Sequence, residues 1–295
     1  MFIKAIQTVS KFTRPIHSIS RTYHGKNIIP GAATLFFVND EGYAITCKHV
    51  IELLVQADQL NKNYDTFKAE RLKIPNDGKY KNALKGLEIK YKYQANTLIQ
   101  LKNSFVDCID KMSGFTWHLH PDYDIAILKF NDFSKLMCND FAVFKKDTST
   151  IQQGKFLCRL GFPFPEFTNF KFNDTTDDIE WTSTGIVGSP SFPIEGMITR
   201  FLGNGMGGVY GLELSVPGLR GQSGGPLFDN DGVIYGMQSR TKHLHLGFDI
   251  ENNEILIDGV IKKVSDYSFI HLGECIHVDI IKDFLKQHNV KYSEL

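Results

Sequence analysis

The chain has 295 residues, 42% of them apolar, and its 33 basic side chains balance 33 acidic ones. This apolar content is ample for the core of a globular protein. The net charge of zero provides no whole-chain attraction to nucleic acid or anionic lipid, so we expect neither as a partner. No apolar run approaches the roughly 18 residues that a membrane-spanning helix needs, so we expect no association with a membrane.

The cysteines are odd in number and scattered along the chain, without the paired spacing of a thiolate zinc site. This pattern argues against both a disulfide framework and a zinc centre. It predicts reduced thiols and a cytoplasmic location. The five positions are Cys47, Cys108, Cys138, Cys158 and Cys275.

The first residues, 1–16, contain lysine but no small-residue cleavage site, which argues against a secretory signal. Phe2, Ile6, Val9 and Ile16 are spaced to share one face of a helix. The sequence therefore predicts an N-terminal helical segment over 1–16.

Short β-like runs separated by turn residues follow this segment. They recur at spacings that suit an antiparallel barrel or sandwich better than alternating βα units. "ATLFFVND" and "YAITCKHV" read as a hairpin. The later runs are "DIAILKF", "KFLCRLGF", "STGIVGS", "VYGLELSV", "PLFDNDGVIYGMQS" and "IHVDI".

Two segments carry helical periodicity instead. Residues 52–112 are rich in Lys, Asn and Gln, and we expect a helical insertion on the surface, between two strands. Residues 279–290 place apolar side chains on one face and an acid at the start, which predicts a short closing helix.

Glycines at 221, 224 and 225 surround a single serine, Ser223, in "GQSGG". Glycine allows close backbone approach, so this turn is suited to a reactive hydroxyl. A serine nucleophile needs a base, and the base is oriented by a buried carboxylate. "AITCKHV" ends near His49 and "DIAILKF" begins with Asp124, which gives the chain order His, Asp, Ser.

The same "GQSGG" satisfies the G-x-S-x-G pattern of α/β-hydrolases, which is an alternative prediction. In that fold the serine precedes the acid and the histidine, and a helix follows it. Asp249 and His277 could supply those partners, but too little chain follows Ser223 for the sheet of that fold.

Together, "AITCKHV", "DYDIAILKF" and "GQSGGPLF" resemble the chymotrypsin-fold serine proteases. The resemblance is closest to the HtrA/Deg branch, because "TSTGIVGS" and "GVIYGMQS" also match it. It implies a mainly β protein of two six-stranded antiparallel barrels, over 17–145 and 146–295, with the insertion in the first. It also implies a serine endopeptidase that works through an acyl-enzyme without a cofactor, on a protein or peptide substrate.

The resemblance assigns Ser223 as the nucleophile, His49 as the general base and Asp124 as the orienting carboxylate. Asp122 is a competing acid, but Asp124 directly precedes Ile-Ala-Ile-Leu. The backbone N–H groups of Gly221 and Ser223 would form the oxyanion hole.

The resemblance also implies a specificity pocket without an acid in its wall. Leu219 and Met237 would there favour an apolar substrate side chain. The implied pocket residues are Pro217, Gly218, Leu219, Arg220, Met237, Gln238 and Ser239.

Gln222 stands where digestive proteases carry an aspartate that pairs with a new N-terminus, so we expect no zymogen cleavage. The chain ends at Leu295, so we also expect no PDZ domain after the protease.

Other interpretations concern motifs outside this triad. A catalytically silent interaction module of the same fold is the first alternative to an active protease. The G-x-G-x-x-G of 203–208 is expected to be a loop rather than a dinucleotide site, since no strand leads directly into it and no helix follows. Ordering of this loop by a protein partner or by homo-oligomerisation could activate the enzyme. The histidine pairs in "WHLH" and "KHLHL" are expected to hold no metal.

Overall fold

A computed structural model describes residues 2–203, 205 and 207–295. Its first lobe is built on a six-stranded antiparallel sheet in the order β4-β1-β2-β3-β7-β6, beside a small two-stranded sheet of β5 and β8. The strands of this lobe are β1 (Thr13–Thr22), β2 (Ile29–Phe37), β3 (Tyr43–Thr46), β4 (Leu98–Phe105), β5 (Ile109–Asp110), β6 (Gly114–Leu119), β7 (Ala126–Asn131) and β8 (Lys135–Leu136).

The second lobe is built on an eight-stranded sheet in the order β15-β10-β13-β14-β17-β16-β9-β18, and β15 also pairs with β16. β11 and β12 form a separate hairpin. The strands are β9 (Val143–Phe144), β10 (Phe156–Gly161), β11 (Phe170–Asn173), β12 (Asp178–Trp181), β13 (Phe192–Gly203), β14 (Val209–Leu214), β15 (Pro226–Phe228), β16 (Ile234–Ile257), β17 (Val260–His277) and β18 (Ser293–Glu294).

The mainly β chymotrypsin-like fold is therefore confirmed, as two lobes of curled sheet with a few helices. The second sheet exceeds the six strands expected, because the short strands β9 and β18 add to it in parallel. The helices are α1 (Ile3–Val9), α2 (Lys48–Arg71), α3 (Tyr80–Tyr91) and α4 (Val278–Gln287), with a 3₁₀ turn at Thr148–Thr150.

The N-terminal helix is shorter than the sequence predicts. It ends at Val9, and Ile16 lies in β1, where it pairs with Ala33 of β2. From Thr13 onward the chain forms the strand that lies between β2 and β4. Its backbone N–H and C=O groups bond to these neighbouring strands and therefore cannot also form helical hydrogen bonds. α4 lies where the closing helix was predicted.

The insertion is only partly helical. It begins with α2 and α3, but Leu98–Phe105 forms β4 and pairs antiparallel with β1, so the prediction of an insertion over 52–112 is wrong at its C-terminal end. Ile99 and Leu101 are buried on this strand, and that burial overrides the polar composition that suggested a surface insertion.

The predicted strand "STGIVGS" is also wrong, because Thr182–Ser189 is irregular between β12 and β13. Gly185 has φ +104°, outside the strand region, and a Cβ there would lie 2.8 Å from the carbonyl oxygen of Thr168. Ile186 and Val187 remain exposed. Apolar character alone was therefore a misleading strand signal here.

A long hairpin of β16 and β17 was not predicted. It closes at Asp258–Gly259, where both residues have positive φ. We call its projecting part, residues 244–270, the arm. Arm side chains such as Phe248, Leu256 and Ile261 are more than 60% exposed.

One hydrophobic core continues from the first lobe into the second. It includes Phe36 and Phe37 of β2 together with Leu227 and Phe228 of β15. Phe2 before α1 packs edge-on against Phe228. No helix among the described residues is long and apolar enough to cross a membrane.

Candidate active site

His49 and Asp124 are brought together by the pairing of β3 with β7. Thr46, the last residue of β3, pairs with Ala126, the first residue of β7. Asp124 lies just before that pair, and His49 lies just after it, as the second residue of α2. An antiparallel ladder thus fixes two residues that are 75 positions apart in the chain.

The two side chains form a close carboxylate–imidazole pair. Nδ1 of His49 lies 3.0 Å from Oδ1 and 2.9 Å from Oδ2 of Asp124. The backbone N–H of His49, in the first turn of α2, also donates to Oδ1 at 3.1 Å. This double contact fixes the imidazole with Nδ1 toward the carboxylate, which leaves Nε2 for another partner.

Asp124 stays ionised at neutral pH. Burial alone would raise the pKa of this carboxyl, but hydrogen bonds from His49 and from the Ser239 hydroxyl outweigh that effect and lower the pKa below its ordinary value. The competing acid, Asp122, is exposed, and none of the hydrogen bonds among the described residues joins its carboxylate to His49.

Ser239 is a site residue whose role the sequence did not reveal. Its hydroxyl donates to Oδ2 of Asp124 at 2.6 Å. From the sequence, Ser239 was expected only along the substrate-binding strand. A serine 16 residues after the nucleophile was a possible signal, but only strand pairing shows which side chain faces Asp124.

Ser223 lies in a tight loop between β14 and β15. Gly221 and Gly224 have φ values of +91° and +86°. A Cβ on Gly224 would lie 2.0 Å from the carbonyl oxygen of Thr34, and one on Gly221 would lie 2.3 Å from that of Phe162. These glycines are therefore required for close approach to β2 and to the end of β10.

Thr34 of β2 attaches this loop to the first lobe. Its N–H donates to the carbonyl of Ser223 at 2.9 Å. Its hydroxyl donates to the carbonyl of Gly221 at 2.7 Å. The loop of the second lobe is thus anchored on a strand of the first.

The backbone N–H groups around the serine differ in whether they have a hydrogen-bond partner among the described residues. Gln222, Gly224 and Gly225 donate their N–H groups to backbone carbonyls. The N–H groups of Gly221 and Ser223 make no hydrogen bond with any described residue. Two free donors beside the serine hydroxyl are suited to an oxyanion.

Ser223 and His49 line one cavity of about 220 Å³, together with Ala32 and Ala33 of β2. No hydrogen bond joins the two side chains within the described part of the chain, and Oγ of Ser223 lies 3.4 Å from the carbonyl oxygen of Ser239. Catalytic hydrogen bonds are often long before substrate binds, so a rotation of the serine hydroxyl toward Nε2 is compatible with this arrangement.

A second cavity, of about 500 Å³, is also lined by Ser223. Six of the predicted pocket residues line it: Pro217, Gly218, Leu219, Arg220, Gln238 and Ser239. Met237 does not, because its side chain is completely buried in the hydrophobic core. The expectation that Met237 forms part of the wall is corrected accordingly.

Cys47, His49 and Asp124 hold potential metal-ligand atoms within 4.8 Å of one another. The thiol of Cys47 is fully buried, and burial raises its pKa well above the ordinary value, which disfavours the thiolate that binds metals. Nδ1 of His49 and both carboxylate oxygens already bond to each other. This arrangement suits proton transfer better than metal binding.

The histidine pairs of the sequence have other contacts. His118 stacks on His288 with ring centroids 3.8 Å apart, and Nδ1 of His120 accepts from the N–H groups of Asp122 and Tyr123.

The strand β13 leads directly into the glycine-rich segment 203–208, contrary to expectation. The antiparallel strand β14, rather than a helix, follows this segment. Asn204 and Met206 lie outside the described residues, and the ordering of this loop stays a prediction.

A search of curated proteins finds no match. Among solved structures, the chain is similar to the HtrA-type protease AlgW, in a serine-to-alanine variant with a tripeptide, at 13% identity and a TM-score of 0.45. That alignment covers 97% of this chain and 62% of the other, so the chain spans less than two thirds of that protein's length.

The sequence pattern of the family described as the trypsin-like peptidase domain matches residues 33–237. This range contains His49, Asp124 and Ser223 and covers more than half of the chain. The chain belongs to the trypsin-like peptidase domain family.

Proposed function

We propose that the protein is a serine endopeptidase that cleaves peptide bonds through an acyl-enzyme on Ser223. One observation carries the proposal: the imidazole bonded to the ionised carboxylate of Asp124 lines the same cavity as the serine hydroxyl. A binding module would have no need for this combination of base, carboxylate and free backbone donors.

In the proposed reaction, Oγ of Ser223 attacks the carbonyl carbon of the substrate and gives its proton to Nε2 of His49. The N–H groups of Gly221 and Ser223 stabilise the oxyanion, each contributing about 3 kcal/mol to the transition state. Nε2 then protonates the leaving amine as the C–N bond breaks. Water repeats the sequence on the acyl-enzyme and releases the acid.

Labelling with a fluorophosphonate tests this proposal without knowledge of the substrate. We expect the wild type to form a covalent phosphonyl adduct on Ser223 with loss of fluoride, and to cleave unfolded casein at pH 7 to 8. Ser223→Ala and His49→Ala should abolish both signals. Ser293→Ala, at an exposed serine outside the site, is the matched control and should retain them.

If the folded wild type is labelled by the fluorophosphonate no more than Ser223→Ala, the proposal is contradicted. That result would favour the silent interaction module, which shares the fold but not the chemistry.

A further inference from the structure

The cavity of about 500 Å³ beside Ser223 is rich in basic groups. Four of its lining side chains are basic: Arg220 of the nucleophile loop, Arg240 and His243 of β16, and His271 of β17. None of the described lining residues is acidic. This composition differs from the apolar pocket that the sequence suggested.

Arg220 carries a charge without a counter-ion. Its side chain is exposed at the cavity, and no ion pair among the described residues includes it. Arg240 differs, because its Nε donates to the carboxylate of Glu274, which offsets its charge. Arg220 is therefore the lining cation most available to a bound anion.

The two histidines offer a further donor. Their Nδ1 atoms lie 2.6 Å apart, so one ring must donate a proton to the other. A neutral ring that accepts at Nδ1 carries its own proton on Nε2. At least one N–H of the pair is thus left for a ligand, and none of the hydrogen bonds among the described residues engages either Nε2 atom.

A buried cation, Arg159, lies behind the residues that line this cavity. It is a second observation, independent of the lining side chains, that points to an anionic ligand. Arg159 of β10 is completely buried. Its guanidinium donates to the side-chain oxygen of Gln238 and to the carbonyls of Val216 and Pro217, all of them neutral acceptors. Its Nε has no partner, and no carboxylate of the described chain pairs with it.

A buried charge with neutral partners alone is unfavourable, and an anion nearby reduces that penalty. Gln238 and Pro217, which hold Arg159, themselves line the cavity. The field of the buried guanidinium therefore adds to that of Arg220 within the space where a substrate side chain would lie.

We propose that this cavity binds an acidic side chain, glutamate or aspartate, of the residue on the amino side of the cleaved bond. This inference rests on the proposed peptidase function, because Ser223 at the mouth of the cavity defines which substrate residue enters it. An apolar side chain would gain no charge interaction there and would displace water from the two arginines and from the histidine pair.

Matched substrates test the inference. Peptides that differ only in Glu, Gln or Leu before the cleaved bond isolate charge from size. We expect kcat/KM to be at least about tenfold higher for Glu than for Gln or Leu, the range for a hydrogen bond to a charged group. Arg220→Gln should remove most of this preference, measured as the ratio of kcat/KM between the Glu and the Gln substrate.

Lys242→Gln is the matched control, because Lys242 is a neighbouring exposed cation of β16 outside the cavity lining. It should leave the Glu preference intact. If the enzyme reacts with fluorophosphonate but cleaves equally after Glu and after Gln, the proposed acidic specificity is overturned. The proposed peptidase function is then unaffected.

A binding measurement keeps the inference testable if no catalysis is found. Product-like peptides that end in Glu or Gln are titrated into Ser223→Ala by fluorescence polarisation. We expect the Glu peptide to bind at least about tenfold more tightly, and Arg220→Gln should remove most of this difference. Equal affinities for the two peptides would reject the acidic pocket, whatever the outcome of labelling.

Discussion

At the scale of single residues, the chemistry of the site depends on how Asp124 is held. His49 and Ser239 donate to this carboxylate from opposite lobes of the protein. Among the described residues, the Ser239 hydroxyl bonds to Asp124 and not to Ser223 Oγ. It is a positioning residue that acts through the carboxylate.

Ser239→Ala is predicted to lower kcat about tenfold while KM changes little, because one hydrogen bond to a charged group is lost. Steady-state kinetics on a peptide substrate measures the change. Ser239→Thr keeps the hydroxyl and should recover most of the activity. A fall in kcat that Ser239→Thr does not rescue would argue against positioning through the hydroxyl.

The candidate triad could be named from the sequence because each of its residues has a local signature. His49 and Asp124 adjoin apolar strand segments, and Ser223 lies among glycines. Ser239 has no such signature. The resemblance misplaced Met237, because the register of β16 shifts between Gln238 and Arg240 and only the strand pairing shows which of its side chains are buried.

At the scale of elements, the nucleophile loop is defined by positive φ and by its contact with β2. Gly224→Ala would force a Cβ to within 2.0 Å of the Thr34 carbonyl oxygen at φ +86°. We predict a loss of more than about 3 kcal/mol in the free energy of unfolding, together with loss of fluorophosphonate labelling.

Urea denaturation at pH 7 provides that measurement. Gly188→Ala is the matched control, because a Cβ there meets no atom within 4 Å. The prediction fails if both alanine variants unfold at the same urea concentration as the wild type.

The arm presents both unpaired strand edges and exposed apolar side chains, a combination that promotes strand pairing between molecules. Its β16 strand carries acids such as Glu251 and Glu254, and its β17 strand carries Lys262 and Lys263. Glu254 lies opposite Lys263 within the hairpin, so these charges offset each other and leave the apolar side chains and the strand edges of the arm for a second copy. We propose that the arm mediates self-association.

Replacement of residues 246–268 by Asn-Gly should convert an oligomer into a monomer in sedimentation velocity. The thermal midpoint of the monomer should change little, because the removed side chains are largely exposed. The milder double variant Phe248→Ser, Leu256→Ser should weaken association without shortening the arm. An unchanged sedimentation coefficient for both the wild type and the shortened protein, at monomer mass, would refute this role.

At the scale of the whole molecule, His17 links the two lobes. This residue of β1 is completely buried, stacks on Phe167 with centroids 4.0 Å apart, and bonds through Nε2 to the hydroxyl of Ser189. Burial lowers the pKa of His17 from its ordinary 6.5 to about 4. The folded protein thus requires a neutral ring.

The unfolded chain binds a proton at this histidine below pH 6.5, whereas the folded chain does so only near pH 4. The stability contribution is therefore complete above pH 6.5 and is lost as the pH falls toward 4. Between pH 6.5 and pH 4, the free energy of unfolding of the wild type should fall by up to about 3 kcal/mol more than that of His17→Gln.

Chemical denaturation at pH 7 and pH 4.5 measures the difference. His24→Gln, at a mostly exposed histidine, serves as the control and should follow the wild type. The same acid sensitivity in His17→Gln and in the wild type would rule out the buried ring as its source.

The sequence by itself determined the fold class, the family resemblance and the candidate triad. Turn glycines and strand periodicity are local properties, and the order of the motifs is read directly along the chain. It contained one strong signal that was missed: Asp258–Gly259 between apolar runs is a typical two-residue hairpin turn. The five cysteines are all buried and free in the structure, while the cytoplasmic location stays a prediction.

Only the tertiary structure decided which side chains share a cavity. β4 was hidden in a polar stretch because its partner strand, not its composition, makes it part of the sheet. Arg159 and Arg220 are 61 positions apart, yet folding places one behind the wall of the cavity that the other lines. Pairing between distant segments sets such charges side by side, and no local pattern encodes that proximity.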